Sequence, residues 1–177
     1  MVREDTVTGV DDGGRDRVNS TITYTLGNFI ENLSLSGTAA INATGNELNN
    51  SIVGNGAANV LKGLAGNDVL TGGAGADSFV FSHFGVANGF DYVEDFESGV
   101  DHLVFSAADY GFAPNHVLQA GELTLGASAV GNSAQFVFNT TTHTLYWDSN
   151  GAASGGMTSI LFMDNGATPT ASDFVFS

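Results

Sequence analysis

The chain has 177 residues, enough for one domain or for a repeat array with a small cap, and too few for two large domains. Its 19 acids face only 4 bases, Arg3, Arg15, Arg17 and Lys62, which leaves no cationic cluster for nucleic acid or an anionic membrane and makes divalent cations the natural counter-charge. Glycine contributes 24 residues, proline 2 and cysteine none, so tight turns abound and disulfides are excluded.

The opening MVREDTVTGV lacks a charged segment followed by an apolar one, and no run approaches the ~20 apolar residues of a membrane span. Neither a cleaved N-terminal export signal nor a transmembrane segment is expected. Farther on, STITYTL and NLSLSG alternate and carry β-branched residues, which predicts two strands. They read as part of one stack built from a degenerate repeat, the alternative being a separate hairpin on its end. Gly14, Asp16 and Val18 copy the spacing of the repeats below, but Asp16 precedes Asn50 by 34 residues where an unbroken array needs 36, so a slip is expected between them.

From Gly45 the text becomes periodic: GNELNNSIV, GNGAANVLK, GLAGNDVLT and GGAGADSFV follow without a gap. Position one is always Gly, position six is Asn50, Asn59, Asp68 and Asp77, and position eight is Ile52, Leu61, Leu70 and Phe79. One apolar residue in nine cannot offset the entropy of ordering the other eight, so the units must stack. A glycine-rich turn followed by a short strand with one inward side chain predicts a flattened solenoid. Two units complete a coil, and strands lie about 4.8 Å apart from coil to coil.

After Phe81 the period fades into longer aromatic segments, FDYVEDF, DHLVF, QFVFNTTTHTLYW and MTSILFMD. QFVFNTTTHTLYW reads as two strands about a Thr-rich turn closed by DSNG, and SAADYGFAP as a single helical turn. The expected organisation is residues 1–44 as strands leading into the roll, 45–81 as the repeat roll, and 82–177 as a β-rich cap.

A glycine loop exposes backbone carbonyls, and Ca²⁺ takes six to eight hard oxygen ligands from carboxylates and carbonyls alike. Eighteen residues per coil places Asn50 opposite Asp68 and Asn59 opposite Asp77, and the same spacing suggests Asp95 opposite Asp77. Without metal, two carboxylates about 5 Å apart repel by roughly 3 kcal/mol at an effective dielectric near 20. Folding and Ca²⁺ binding should then be one equilibrium.

These residues carry a family resemblance. GGAGADSFV matches every defined position of the RTX (repeats-in-toxin) nonapeptide G-G-x-G-x-D-x-U-x, and GLAGNDVLT lacks only the second glycine. VEDFESGVDHLVFS resembles the segment that follows the roll in serralysin-type C-terminal domains. The resemblance implies an all-β chain, a parallel β-roll (a right-handed β-solenoid) with a C-terminal β-rich cap, holding several Ca²⁺ ions. It implies one site from Asn46, Leu48 and Asn50 with Gly63, Ala65 and Asp68, and another from Asn55, Ala57 and Asn59 with Gly72, Ala74 and Asp77. A third would use Gly73, Gly75 and Asp77 with Asp95, and Asp91 and Asp101 are further candidates. Asn at position six departs from the family's Asp and removes charge. The resemblance further implies a secreted, extracellular or cell-surface location, with export through a type I secretion machinery that reads an uncleaved C-terminal signal, here 170–177 with Asp173 before Phe174, Val175 and Phe176.

Other readings are weaker. The repeats could form a metal-free β-helix with Asn ladders. His83, His102, His116 and His143 fit no zinc spacing, and no G-x-S-x-G elbow is present. DSNG at Asp148 begins like an EF-hand loop, but no Glu follows at the twelfth position, so a turn is the better reading. Glu94, Asp95 and Glu97 read as surface acids, not a glycosidase pair. The sequence therefore predicts a non-catalytic Ca²⁺-binding module of a larger extracellular protein; an enzyme such as a protease, lipase or epimerase, its catalytic domain outside this chain, is one kind of parent the resemblance allows. The alternative is a polysaccharide- or surface-binding module of an adhesin or alginate-modifying enzyme, using Phe136, Phe138, Tyr146 and Trp147.

Overall fold

The computed structural model describes residues 13–81 and 89–177; residues 1–12, which hold Arg3 and Asp11, and His83 lie outside the described residues. Among the described residues fifteen strands build two sheets. The chain begins with β1 (Arg17–Ser20), β2 (Tyr24–Thr25), β3 (Asn32–Leu35) and β4 (Ala43–Thr44). The repeats supply β5 (Ser51–Val53), β6 (Val60–Lys62), β7 (Val69–Thr71) and β8 (Ser78–Phe81). Beyond them come β9 (Asp91–Val93), β10 (His102–Phe105), β11 (Leu123–Leu125), β12 (Gln135–Asn139), β13 (Thr144–Asp148), β14 (Met157–Met163) and β15 (Phe174–Phe176).

Odd-numbered strands β1, β3, β5, β7 and β9 pair in parallel along one sheet, and β2, β4, β6, β8 and β10 along the other. Each repeat thus places its strand on the opposite face from its neighbour, and two repeats make a coil. Register stacks the inward residues of successive strands. Val18, Leu33, Ile52, Leu70 and Val93 form one buried column; Ala43, Leu61, Phe79, Leu103 and Phe174 form the other. Burial of each large side chain contributes about 1.5–3 kcal/mol, which becomes sufficient only when the columns are continuous. All four position-eight residues are fully buried.

STITYTL and NLSLSG contribute β2 and β3 to the stack, not to a separate hairpin. The slip lies in the first coil: Arg17 pairs with Asn32, fifteen positions on, and Asn32 with Ser51, nineteen on. Sheet pairing carries the roll past Phe81, since β9 continues from β7 and β10 from β8.

The cap finishes both sheets. The antiparallel set β12, β13 and β14 joins the first sheet when β14 pairs in parallel with β9, and β15 closes the second beside β10. Between them lies an aromatic plug in which Phe105 contacts Phe81, Phe136, Tyr110 and Phe174 with ring centroids 5.2–5.8 Å apart. A single 3₁₀ turn, Ala107–Tyr110, falls in SAADYGFAP. Among the described residues no helix is long and apolar enough to cross a membrane.

Candidate metal centre

Position six runs a hydrogen-bond ladder up each edge of the roll. Asp68 Oδ1 accepts the Asn50 N–H at 2.7 Å, and Asp91 Oδ1 accepts the Asp68 N–H at 2.9 Å. On the other edge Asp77 Oδ1 accepts the Asn59 N–H at 2.7 Å, and Asp101 Oδ1 accepts the Asp77 N–H at 2.8 Å. The carboxylate after Asp77 on its rung is therefore Asp101, not Asp95. Asp101 lies twenty-four residues after Asp77, fourteen of them spent in reaching Asp91, so the eighteen-residue spacing fails there. Asp95 instead accepts the N–H groups of Gly72 and Gly73 at 2.7 and 2.8 Å, one on each oxygen.

The second polar atom of position six divides the rungs into two kinds. In the lower loops Asn50 Oδ1 accepts the Asn46 N–H and Asn59 Oδ1 the Asn55 N–H, both at 2.8 Å. Their amide nitrogens donate to the coil below, at Ile30 O and Ile41 O, and to Asn46 Oδ1 and Asn55 Oδ1. Asn46 Nδ2 also binds the carbonyls of Gly27 and Ile30, and Asn55 Nδ2 that of Ala39. Carboxamides thus supply the donors between these coils. In the same four-residue pattern Asp101 Oδ2 accepts the Glu97 N–H at 2.8 Å.

Asp68 and Asp77 break that pattern. Four residues before them stand Leu64 and Gly73, with φ of 80° and 95°, a left-handed backbone, and the Gly73 N–H goes to Asp95 instead. Gly66 and Gly75, at φ of 108° and 122°, repeat it at position four. Asp68 Oδ2 and Asp77 Oδ2 are buried without a hydrogen-bond partner among the described residues. Among the described residues neither carboxylate has a lysine or arginine partner; the ion pair present is His116 with Glu122 at 2.8 Å. Burial pushes the Asp68 carboxyl up to about 6, partly offset by the Asn50 N–H. Asp77 is also raised, by burial and by the charges of Asp101 and Asp95, against the Asn59 N–H.

Position one requires glycine for space, since Gly63 and Gly72 do not have positive φ. A Cβ on Gly63 would overlap Asp68 Oδ2, and one on Gly72 would sit 2.5 Å from Asp77 Oδ2. The carbonyls of Leu48, Asn55, Gly63 and Gly72 lie in the contacts between coils, where a Cβ on the facing glycine would meet them. Ala65 is half-buried in the upper loop of one edge; Ala74 is exposed between Gly73 and Gly75 in that of the other, while Ala57 lies beneath Gly75.

A buried carboxylate oxygen lacking both donor and cation is strongly destabilising unless a positive charge meets it. The donors at hand are one carboxylate and several carbonyls per rung, a hard oxygen set suited to Ca²⁺ and unsuited to zinc. Among the described residues no three acidic or histidine side chains converge, so carbonyls must complete any shell.

Two carboxylates have other places than the sequence suggested, Asp101 being there only a further metal candidate and Asp173 only the acid of an export signal. Asp101 takes the rung assigned to Asp95, and Asp173 is fully enclosed, accepting Ser98 Oγ at 2.7 Å and the N–H groups of Gly99 and Thr170 at 3.0 and 2.8 Å. The Thr170 and Asp173 pair form a capping box, a signal visible as T-x-x-D in the sequence. Of the aromatics considered for sugar stacking, Phe136, Phe138 and Trp147 are buried in the plug and only Tyr146 is half-exposed.

Fold and site together define a parallel β-roll that holds buried carboxylates for a cation. Residues 44–79 match the model of the RTX calcium-binding nonapeptide repeat in four copies, so the chain carries an RTX calcium-binding module. It is similar to the solution structure of the AlgE6R3 subunit from the Azotobacter vinelandii mannuronan C5-epimerase, at 22% identity over 99% of this chain and 87% of that one, with a TM-score of 0.39. No curated protein matches the chain.

Proposed function

We propose that this module makes the folding of a larger exported protein depend on Ca²⁺ and is itself non-catalytic. The observation that supports it is the pair of buried, unpartnered oxygens, Asp68 Oδ2 and Asp77 Oδ2, one on each edge of the roll. Bound Ca²⁺ would supply positive charge and accept oxygen ligands. Asp68 and Asp77 would hold it from position six, with carbonyls among Leu48, Asn55, Gly63 and Gly72 between the coils. Where the ion is scarce, the two charges and the ordering cost of the glycine loops favour the open chain. An open chain suits passage through a type I secretion channel, and an extracellular Ca²⁺ supply then drives folding.

Far-UV circular dichroism during a Ca²⁺ titration tests this. The expected result is a coil-like spectrum in chelator, a β spectrum with Ca²⁺, and a higher midpoint for Asp68→Ala and Asp77→Ala. A chelated protein already fully folded at neutral pH would sink the reading.

A polysaccharide-binding role has one observation in its favour, the row Phe90, Tyr92 and Phe162 beside the outer face of the first sheet. Successive rings meet edge to face, at 78° and 61°, so they offer no flat platform. A net charge of −15 also opposes a polyanionic glycan. Pull-down on neutral and acidic polysaccharides, with Tyr92→Ala as control, separates the two roles.

A further inference from the structure

The lower and upper repeats differ at two positions, not one. Asn at position six comes with Asn at position two, Asn50 with Asn46 and Asn59 with Asn55, whereas Asp68 comes with Leu64 and Asp77 with Gly73. The folded chain gives that pairing a physical meaning. Asn46 Nδ2 donates down to Gly27 O and Ile30 O, both at 2.8 Å, and Asn50 Nδ2 donates to Ile30 O at 3.3 Å and across to Asn46 Oδ1 at 3.0 Å. The other edge repeats the arrangement, with Asn55 Nδ2 on Ala39 O at 2.9 Å and Asn59 Nδ2 on Ile41 O and, at 3.1 Å, on Asn55 Oδ1. The oxygens are used as fully. Asn46 Oδ1 and Asn55 Oδ1 also accept the N–H groups of Leu48 and Ala57 at 2.9 and 3.0 Å, and each position-six Oδ1 accepts the N–H of position two. All four residues are buried, at 9% exposure or less.

These bonds fix which end of each position-six amide is nitrogen. Reversed, the Asn50 and Asn59 oxygens would face the carbonyls of Ile30 and Ile41 while their nitrogens met the N–H groups of Asn46 and Asn55. An ion in either gap would need to approach those carbonyls to about 2.3–2.6 Å, from the place the position-six nitrogen now holds. It would displace a donor and gain only neutral oxygens from the four asparagines, although Ca²⁺ affinity follows the charge of the ligand set. Carboxamides with every polar atom bonded call for no counter-charge.

We propose that the paired asparagines at positions two and six substitute for an ion: the gaps they bridge, below Asn50 and below Asn59, hold no Ca²⁺, and neither residue is a ligand of an ion above it. The four repeats then contain two kinds of rung, written as G-N-x-x-x-N where amides bridge and as G-x-x-G-x-D where an ion does. This rests on the reading of Asp68 and Asp77 as ion holders and confines ion binding within the repeats to their rungs.

The number of ions bound per chain tests it. The full chain is dialysed against saturating Ca²⁺, bound Ca²⁺ is counted by atomic emission, and a melting curve is recorded for the same sample. Asn50→Ala and Asn59→Ala should leave the count unchanged and lower the melting temperature by about 5–10 °C. Asp68→Asn and Asp77→Asn should each lose one ion. Loss of one ion in either alanine variant overturns the proposal. Asn59→Asp decides the matter even if the alanine variants fail to fold. A bridging amide turned into a carboxylate loses its donors, so the variant takes up one ion more or melts lower in saturating Ca²⁺. A ligand that gains charge keeps the count and melts higher, and that result also overturns the proposal. Failure of the underlying Ca²⁺ reading looks different, as unchanged counts in Asp68→Asn and Asp77→Asn.

Discussion

The Asn59 N–H donates to Asp77 Oδ1 at 2.7 Å across one rung, and the other oxygen of the same carboxylate, Oδ2, is buried with nothing to accept from. The rung below shows what a carboxamide achieves at position six, for Asn59 satisfies both its atoms. Asp77→Asn should therefore change sign with metal. In chelator it removes an unpartnered buried charge and should stabilise the chain by about 1–3 kcal/mol. In Ca²⁺ it removes a ligand and should lower stability. Melting curves of wild type and variant with chelator and with Ca²⁺ should cross over; a variant less stable under both conditions would contradict the unpartnered carboxylate.

Acid should partly replace the ion. The Asp68 carboxyl is raised from 3.8 to about 6 by burial, so the folded state binds its proton more tightly than the open chain. Its contribution to stability is then present below pH 3.8 and is lost as pH rises through about 6. Asp77 shifts in the same direction. Chelated protein should accordingly show more β signal near pH 4 than at pH 7.5, and Asp68→Asn should shrink the difference. A metal-free fold that weakens on acidification across this window would argue against buried unpaired carboxyls.

Two glycine substitutions separate space from backbone freedom. Gly63→Ala drives a methyl group into Asp68 Oδ2, whereas Gly56 has open space around it and no positive φ. Gly63→Ala should raise the Ca²⁺ midpoint of folding severalfold or abolish the transition. Gly56→Ala should shift stability by no more than about 1 kcal/mol. Equal effects in a side-by-side titration would show that position one is not a packing site.

Asp173 ties the last strand to the loop over 97–101 through two hydrogen bonds, from Ser98 Oγ and the Gly99 N–H, and caps its own turn through a third, from the Thr170 N–H. Asp173→Ala should cost about 2–4 kcal/mol, lowering the melting temperature by roughly 5–10 °C in Ca²⁺. An export role for 170–177 makes a different demand, because a signal is read from the open chain. Secretion of a fusion bearing Asp173→Ala, compared with deletion of Asp173 to Ser177, distinguishes a clamp from an address. Normal export of both would remove the signal.

The sequence by itself determined the period, the inward column and the coil. Gly at position one, Ile52, Leu61, Leu70 and Phe79 at position eight and eighteen residues per turn are local regularities, and parallel stacking is the one way to bury them. It likewise placed Asp68 and Asp77 on successive turns. Only the tertiary structure decided which carboxylate completes each rung, because Asp91 and Asp101 arrive after loops longer than the repeat and Asp95 is taken by the Gly72 and Gly73 amides. It also decided that Asn50 and Asn59 satisfy themselves while Asp68 and Asp77 do not, a difference that goes with the left-handed backbone at Leu64 and Gly73 and with the donor a carboxylate lacks. Side-chain type is written in the chain, but whether a polar atom finds a partner depends on the coil stacked against it.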